Sequence, residues 1–291
     1  MPEAPEVAAL AGDLKQRIGG RVVERLDVPA FAALKTVALQ SAELRGRRVD
    51  DVGRHGKFLD LRLGGDHLIV HLARAGWITW REETPRTPPR PGRGPLAARL
   101  VLAEEDEAPA GCLDVTEAGT KKSLALYLVS DPAEVPGIAR IGPDPLGPSF
   151  TLESFEGILA GAGRAQIKGV LRDQSLMAGI GNAYSDEILH AARMSPFKPA
   201  AMGHDDARRL HEALTGTLRE AAERAAGLSA ASLKREKKRG LRVHGRAGEA
   251  CPVCGDVIRQ VVFADSSLQY CPACQTGGTV LADRGMSRLL K

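Results

Sequence analysis

The sequence predicts an α+β multidomain fold, with a helix leading into a strand-rich segment, then a helical segment, then a small cysteine-held ribbon. Three observations carry this. Apolar residues recur at helical spacing in residues 3–18, fall into short strand-length runs from Val22 to about Val129, and return to helical spacing from Thr151 to about Leu228. A proline-rich stretch, 130–149, with Pro132, Pro136, Pro143, Pro145 and Pro148, separates the last two regimes. Two Cys-x-x-Cys pairs close the chain. The divisions are 1–130, a linker 131–150, a helical domain 151–240, a ribbon 241–280 and a tail 281–291.

Each element has a local reason. Val7, Leu10, Leu14 and Ile18 line one face of the first helix, and Gly19 and Gly20 end it. The runs Val49–Val52, Phe58–Leu63, His67–Leu72, Trp77–Trp80, Leu100–Leu102 and Leu124–Val129 are broken by Gly, Pro and Asp. Phe58–Leu63 partly alternates as a half-buried strand does. Strands without intervening helices point to a sandwich or a barrel. Residues 84–95, rich in Pro, Arg and Gly, read as an exposed loop. Thr151 and Ser154 are candidate caps of the helical segment, and Pro196 and Pro199 interrupt it.

Composition narrows the function classes. With 291 residues, 43% hydrophobic and 26% charged, the chain can bury cores. No apolar stretch reaches membrane-spanning length, and the start has no signal-peptide pattern. Five cysteines make no disulfide framework, so a cytoplasmic protein is expected. Aromatics at 4% argue against a reader of single strands by extensive stacking. The net charge is +4, and the excess lies in the second half, largely in Lys234, Arg235, Lys237, Lys238, Arg239, Arg242 and Arg246. Such a run suits a polyanion partner, or else a solvated linker.

Cys251-Pro-Val-Cys254 and Cys271-Pro-Ala-Cys274 are separated by sixteen residues. Four thiolates match the tetrahedral preference of zinc, and a site filled by four protein ligands is structural, with no position open to substrate. A redox Cys-x-x-Cys would need only one pair. Val257, Ile258, Val261, Val262 and Phe263 between the pairs read as a β-hairpin. Cys112 stands apart and reads as a buried small hydrophobe.

At the other end stands Met1-Pro2-Glu3. Methionine before a small residue is normally removed, which would leave Pro2 as a secondary amine with a pKa near the ~7.7–8.0 of an α-amino group. Such an amine is a competent nucleophile toward a carbon at the aldehyde oxidation level, and Glu3 beside it is a candidate general acid. A proline at the first helical position with acids in the first turn explains the same residues without chemistry.

Four motifs occur in order: PEAPEV at 2–7, GRHGKFL at 53–59, AGIGNAYSDEILHAARMSP at 178–196, and the four-cysteine ribbon. Together they resemble the formamidopyrimidine-DNA glycosylase / endonuclease VIII family over residues 2 to about 277. The resemblance implies an N-terminal helix on a β-sandwich, a helix–two-turns–helix domain and a C-terminal zinc ribbon, with DNA between sandwich and helical domain. It implies a bifunctional enzyme of base-excision repair, a glycosylase and abasic-site lyase acting by β,δ-elimination. Its partner would be damaged double-stranded DNA, its cofactor one structural zinc on Cys251, Cys254, Cys271 and Cys274, and its state a monomer in the cytoplasm, nucleoid-associated on DNA. Pro2 would attack the anomeric carbon, Glu3 would protonate the opening sugar, Glu6 would support the site, and Lys57 would grip the lesion phosphate. Asn182 would add a donor to a phosphate cradle of backbone amides, or else cap the following helix. His71 and Arg74, in and after the strand before Gly76, and Lys121 and Lys122 complete the implied DNA contacts.

The chain departs from the family pattern in three places. Members carry an Arg and a Phe in a loop that fills the hole left by a flipped base, where this chain reads TEAGTKKS, residues 116–123. Arg74 stands where a Met normally joins that wedge. At the place of the ribbon arginine stand Ser266 and its neighbour Asp265. A preference for sites already unstacked, or a cationic plug of Arg74, Lys121 and Lys122, would follow. A non-catalytic or lyase-only paralogue on abasic or distorted DNA, and a ribbon module for RNA or protein, are the competing readings.

Overall fold

A computed structural model describes all residues except 37–40, 93, 104–108, 264–265 and 282–291. The chain divides into two compact units. The first comprises Met1–Ile141 with Ala225–Arg235, and the second Gly142–Arg224 with Glu236 onward.

The first unit opens with α1, Ala4–Ile18, which buries Val7, Leu10, Leu14 and Ile18 as their spacing predicts. It ends where the Gly19 N–H bonds the Lys15 carbonyl at 3.0 Å. Among the described residues eight strands follow: β1 (Val22–Asp27), β2 (Val49–His55), β3 (Phe58–Leu63), β4 (Asp66–His71), β5 (Gly76–Arg81), β6 (Leu96–Ala103), β7 (Pro109–Glu117) and β8 (Ala125–Val129). They form two antiparallel four-stranded sheets, ordered β1-β6-β7-β5 and β2-β3-β4-β8. Leu59, Leu61 and Leu63 of one sheet and Leu100, Leu102, Leu113 and Val115 of the other share a core with α1, so the β domain is a sandwich. On the other face of the second sheet, Ile69 and Val129 are covered by Val135 and Ile138 of the proline-rich stretch.

The second unit contains α2 (Leu152–Ala162), α3 (Ile167–Arg172), α4 (Asn182–Ala191) and most of α5 (His204–Ala225). Their core is Phe155, Leu159, Leu171, Ile180, Ile188, Leu189, Leu210, Leu214 and Leu218. The Thr151 hydroxyl accepts from the Ser154 N–H at 3.2 Å and caps α2. The ribbon pairs β9 (Arg259–Val262) with β10 (Ser267–Tyr270), followed by a short α7 (Pro272–Thr276).

Two differences from the sequence reading have clear causes. The basic run is largely helical rather than irregular: α6, Ala230–Gly240, carries the chain from the first unit to the second, buries Ala230 and Leu233, and leaves Lys234, Arg235, Lys238 and Arg239 exposed. Lys234 Nζ lies 4.4 Å from the Trp77 ring centroid, and Lys237 Nζ lies 4.5 Å from that of Tyr184. At the N-terminus, Glu3 is the cap of α1 and Pro5 occupies its first turn, so Pro2 stands outside the helix and a first-turn role does not explain it.

Gly76 fixes the turn between β4 and β5. Its N–H bonds the Leu72 carbonyl at 2.8 Å, and a Cβ there would lie 2.1 Å from that oxygen. Gly76→Ala is expected to lower the unfolding free energy by roughly 2–4 kcal/mol. Gly157→Ala, in open space on α2, is expected to raise it by about 0.5–1 kcal/mol. Urea titration of both variants checks the pair.

Candidate active site and metal centre

The N-terminal candidates are inside the protein. Pro2 is buried, Glu3 is 2% exposed and Glu6 is 3% exposed. Glu6 Oε2 accepts from the Glu3 N–H at 2.9 Å, which fixes the backbone that presents Pro2 and Glu3 at the positive end of α1. Glu6 therefore braces the N-terminal main chain.

Lys57 sits in the tight turn between β2 and β3, where His55 faces Phe58 across the ladder. The next strand brings His71 opposite Phe58, with ring centroids 4.7 Å apart. Burial, and then the nearby Lys57 charge, push the His71 pKa down to about 4. The structure thus joins Lys57 and His71 as a cation and a neutral imidazole, and His71 offers a hydrogen bond rather than a charge. On the same sheet Asp60 holds His55 at 3.0 Å and His67 at 2.8 Å. Burial opposes its charge, but these two bonds keep the carboxyl below its usual range.

Arg74 is exposed in the turn after β4. The 118–123 loop lies against that turn: the Ala118 N–H bonds the Ala75 carbonyl at 3.3 Å, and a Cβ on Gly119 would meet Ala75 Cβ at 3.3 Å. Buried Glu117 closes the loop, accepting from the Ser123 and Leu124 N–H groups at 2.8 and 3.1 Å. Lys122 donates to the Glu117 carbonyl and braces its own loop, while Lys121 is exposed. The loop is short, pinned and without an aromatic side chain.

Asn182 opens α4 as its first helical residue, and Gly181 is the cap, which corrects the reading of Asn182 as cap. Its Nδ2 donates to the Ser267 carbonyl of β10 at 2.7 Å, and its Oδ1 is buried without a partner among the described residues. The amide retains a second N–H. Ile188, Leu189 and Ala192 are fully buried, as expected.

Residues that local patterns did not single out wire this segment together. Lys168 of α3, 6% exposed, donates to Asp186 Oδ1 at 2.6 Å and Ser185 Oγ at 2.7 Å. Asp186 Oδ2 also bonds His244 Nδ1 at 2.7 Å and the Gln269 N–H at 3.2 Å. Glu187 accepts three backbone N–H groups, from Arg242, Val243 and His244, at 2.7, 3.0 and 2.8 Å. Burial nonetheless holds its carboxyl above the ordinary range. The two adjacent acids of α4, Asp186 and Glu187, were the only sequence signal.

The four cysteines converge, with all Sγ atoms within 4.8 Å of one another. Burial pushes the Cys271 thiol up to about 11 and raises Cys274, whereas a backbone hydrogen bond at Asp256 lowers exposed Cys254; a divalent cation bound among the four would hold them as thiolates. Four sulfurs at this spacing suit one structural zinc and leave no open position. At the hairpin tip the Phe263 N–H bonds the Ser266 carbonyl at 2.8 Å, and Asp265 lies outside the described residues. Cys112 is fully buried, and burial raises its thiol pKa. Among the described residues no helix is long and apolar enough to cross a membrane.

Comparison with known proteins adds the following. Residues 1–117 match the family described as formamidopyrimidine-DNA glycosylase N-terminal domain, 141–232 its H2TH domain, and 248–277 the zinc finger found in FPG and IleRS. An uncharacterised formamidopyrimidine-DNA glycosylase-like protein of Mycobacterium tuberculosis is 54% identical over 160 residues, 55% of this chain and 99% of that protein. Formamidopyrimidine-DNA glycosylase of Symbiobacterium thermophilum is 34% identical over 94% of this chain and 89% of its own length. The crystal structure of MutM (Fpg) from Thermus thermophilus aligns with TM-score 0.76 at 32% identity, covering 96% of this chain and all of that one. Lactococcus lactis Fpg in complex with abasic-site DNA aligns with TM-score 0.81 at 27% identity, covering 94% and 99%.

Glu187→Leu should strand three backbone donors and cost about 3 kcal/mol or more, with hydrogen exchange accelerated first at residues 242–244. His71 binds a proton less readily folded than unfolded. Its contribution is therefore complete above about pH 6.5 and lost as pH falls toward 4, by no more than about 3 kcal/mol. His71→Phe should flatten that part of the pH–stability curve in urea titrations.

Proposed function

Because the chain belongs to the formamidopyrimidine-DNA glycosylase family, we propose that it is a bifunctional DNA glycosylase and abasic-site lyase that removes oxidised bases from double-stranded DNA in base-excision repair, in the cytoplasm and on the nucleoid. The observation that carries the reading is buried Pro2, which stands outside α1 and is left unexplained by helix formation, directly beside Glu3, the cap that Glu6 holds in place.

With Met1 removed, the Pro2 nitrogen forms a bond to the anomeric carbon as the damaged base departs. Glu3 supplies the proton that lets the sugar ring open, leaving a cationic iminium between Pro2 and the sugar. The iminium accepts the electron pair released when the adjacent carbon loses a proton. The 3′ phosphate leaves by β-elimination, and a second proton loss expels the 5′ phosphate by δ-elimination. Hydrolysis then frees Pro2. Lys57 holds the lesion phosphate as a point charge, and neutral His71 adds a hydrogen bond beside it. Asn182 has one N–H engaged with Ser267, so its phosphate contact uses the second, together with backbone amides at the start of α4. Zinc braces the ribbon and takes no part in the chemistry.

The pinned 118–123 loop favours a particular substrate range. An extruded base leaves a void costing a few kcal/mol in lost stacking, and this loop carries no apolar side chain larger than that of Ala118 to fill it. Abasic sites, mismatches, bubbles and single strands are therefore preferred. The alternative, a cationic plug, would draw on Arg74, Lys121 and Lys122, the last of which also donates to the Glu117 carbonyl.

Borohydride trapping on a panel of lesions tests the enzymatic reading. A covalent complex is expected with the mature protein and none with Pro2→Gly or an N-terminally tagged form. Retention of Met1 on the cellular protein, read by mass spectrometry, would leave only DNA binding. Nicking is expected to fall in the order abasic site, dihydropyrimidine, 8-oxoguanine in duplex; strong excision of 8-oxoguanine opposite C, unchanged by Arg74→Ala, would defeat the substrate preference. Affinity should drop steeply between about 50 and 200 mM salt.

A further inference from the structure

The sharpest feature that this reading does not use is His190, at the C-terminal end of α4. It is 3% exposed, its Nε2 lies 3.3 Å from Cys251 Sγ, and Cys251 is itself 3% exposed. The other ring nitrogen, Nδ1, is buried with no hydrogen-bond partner among the described residues. A buried imidazole with one nitrogen unserved is tolerated only where the other makes a bond of consequence.

We propose that His190 is a positioning residue of the zinc site, donating its Nε2–H to the Cys251 thiolate. The geometry sets the tautomer. With the proton on Nδ1, a nitrogen lone pair would face the sulfur lone pairs across 3.3 Å, and the Nδ1–H would be stranded in the interior. With the proton on Nε2, the bond is charge-assisted and Nδ1 keeps only an unused lone pair. Four thiolates around one divalent cation carry a net charge of about −2, and an N–H directed at one of them draws off part of it. His190 is no substitute ligand, because the set of mutually close donor atoms contains the four cysteines and not this imidazole. The same helix holds the ribbon through Asn182 and Asp186, so this bond ties the metal to the far end of α4.

The inference stands apart from the catalytic reading, and its test uses metal rather than DNA. In the full-length zinc protein, His190→Phe should release zinc to excess chelator about ten- to a hundredfold faster, while His190→Gln, whose amide N–H can reach the sulfur, should stay close to the parent rate. Equal release from the parent and His190→Phe, or equally fast release from both variants, overturns the proposal. A measurement without substitution guards against a variant that does not fold. In the parent protein loaded with ¹¹³Cd and labelled with ¹⁵N-histidine, the His190 Nε2 proton should show scalar coupling to cadmium across the hydrogen bond. A His190 ring protonated on Nδ1, or a cobalt-loaded spectrum with three thiolates and one imidazole, would also overturn it.

Discussion

Lys168 cannot be buried without an answering charge, and much of the second unit is arranged around that requirement. Its ammonium meets Asp186 at 2.6 Å, with both side chains almost sealed from water. An ion pair so placed recovers its desolvation cost only when the remaining lone pairs and protons are also used. Here they are: Ser185 takes a second bond from Lys168, and His244 and the Gln269 N–H complete Asp186. Because the partners come from α3, α4, the segment before the ribbon and β10, one electrostatic obligation registers four pieces of chain. Glu187 extends it by seating three consecutive amides. The GIGNAYSDEIL segment thus has an architectural reason for its acids that is separate from any contact with DNA.

The first unit solves a different problem. Its sandwich comes from strand pairing and a leucine-rich interior, while the polar groups that matter sit at the ends of strands. Lys57 and His71 are neighbours because β2, β3 and β4 are consecutive antiparallel strands joined by tight turns. Buried Glu117 does for the 118–123 loop what Glu187 does for residues 242–244, with a carboxylate collecting backbone donors that a turn would otherwise expose.

What could be read in the sequence followed the range of the interactions. The strand Phe58–Leu63 and the helix around Leu10 and Leu14 declare themselves through local period, and the cysteine spacing declares the metal site. β1 was not singled out because Glu24, Arg25 and Asp27 interrupt its apolar residues. The charges of α6 hid its helix, whose packing rests on little more than Ala230 and Leu233. Pro2 and Pro5 could not be ranked by composition; only the position of the cap separates them. Lys168, Asp186 and His244 were invisible because their partners lie 18 and 58 positions away, a distance at which no local pattern speaks. His190 gave no hint at all, since a histidine in the last turn of a helix is ordinary until its sulfur neighbour is known.

The seating of the ribbon on α4 has a consequence for ancestry. A cysteine knuckle is often treated as a portable cassette, able to move between proteins with its metal. Here the hairpin borrows an amide from Asn182 and a carboxylate from Asp186, and its first cysteine touches His190. Lifted out alone, it would leave behind the groups that orient it. Shuffling of this cassette between lineages would therefore have to carry the helix along, or rebuild its footing in the new host.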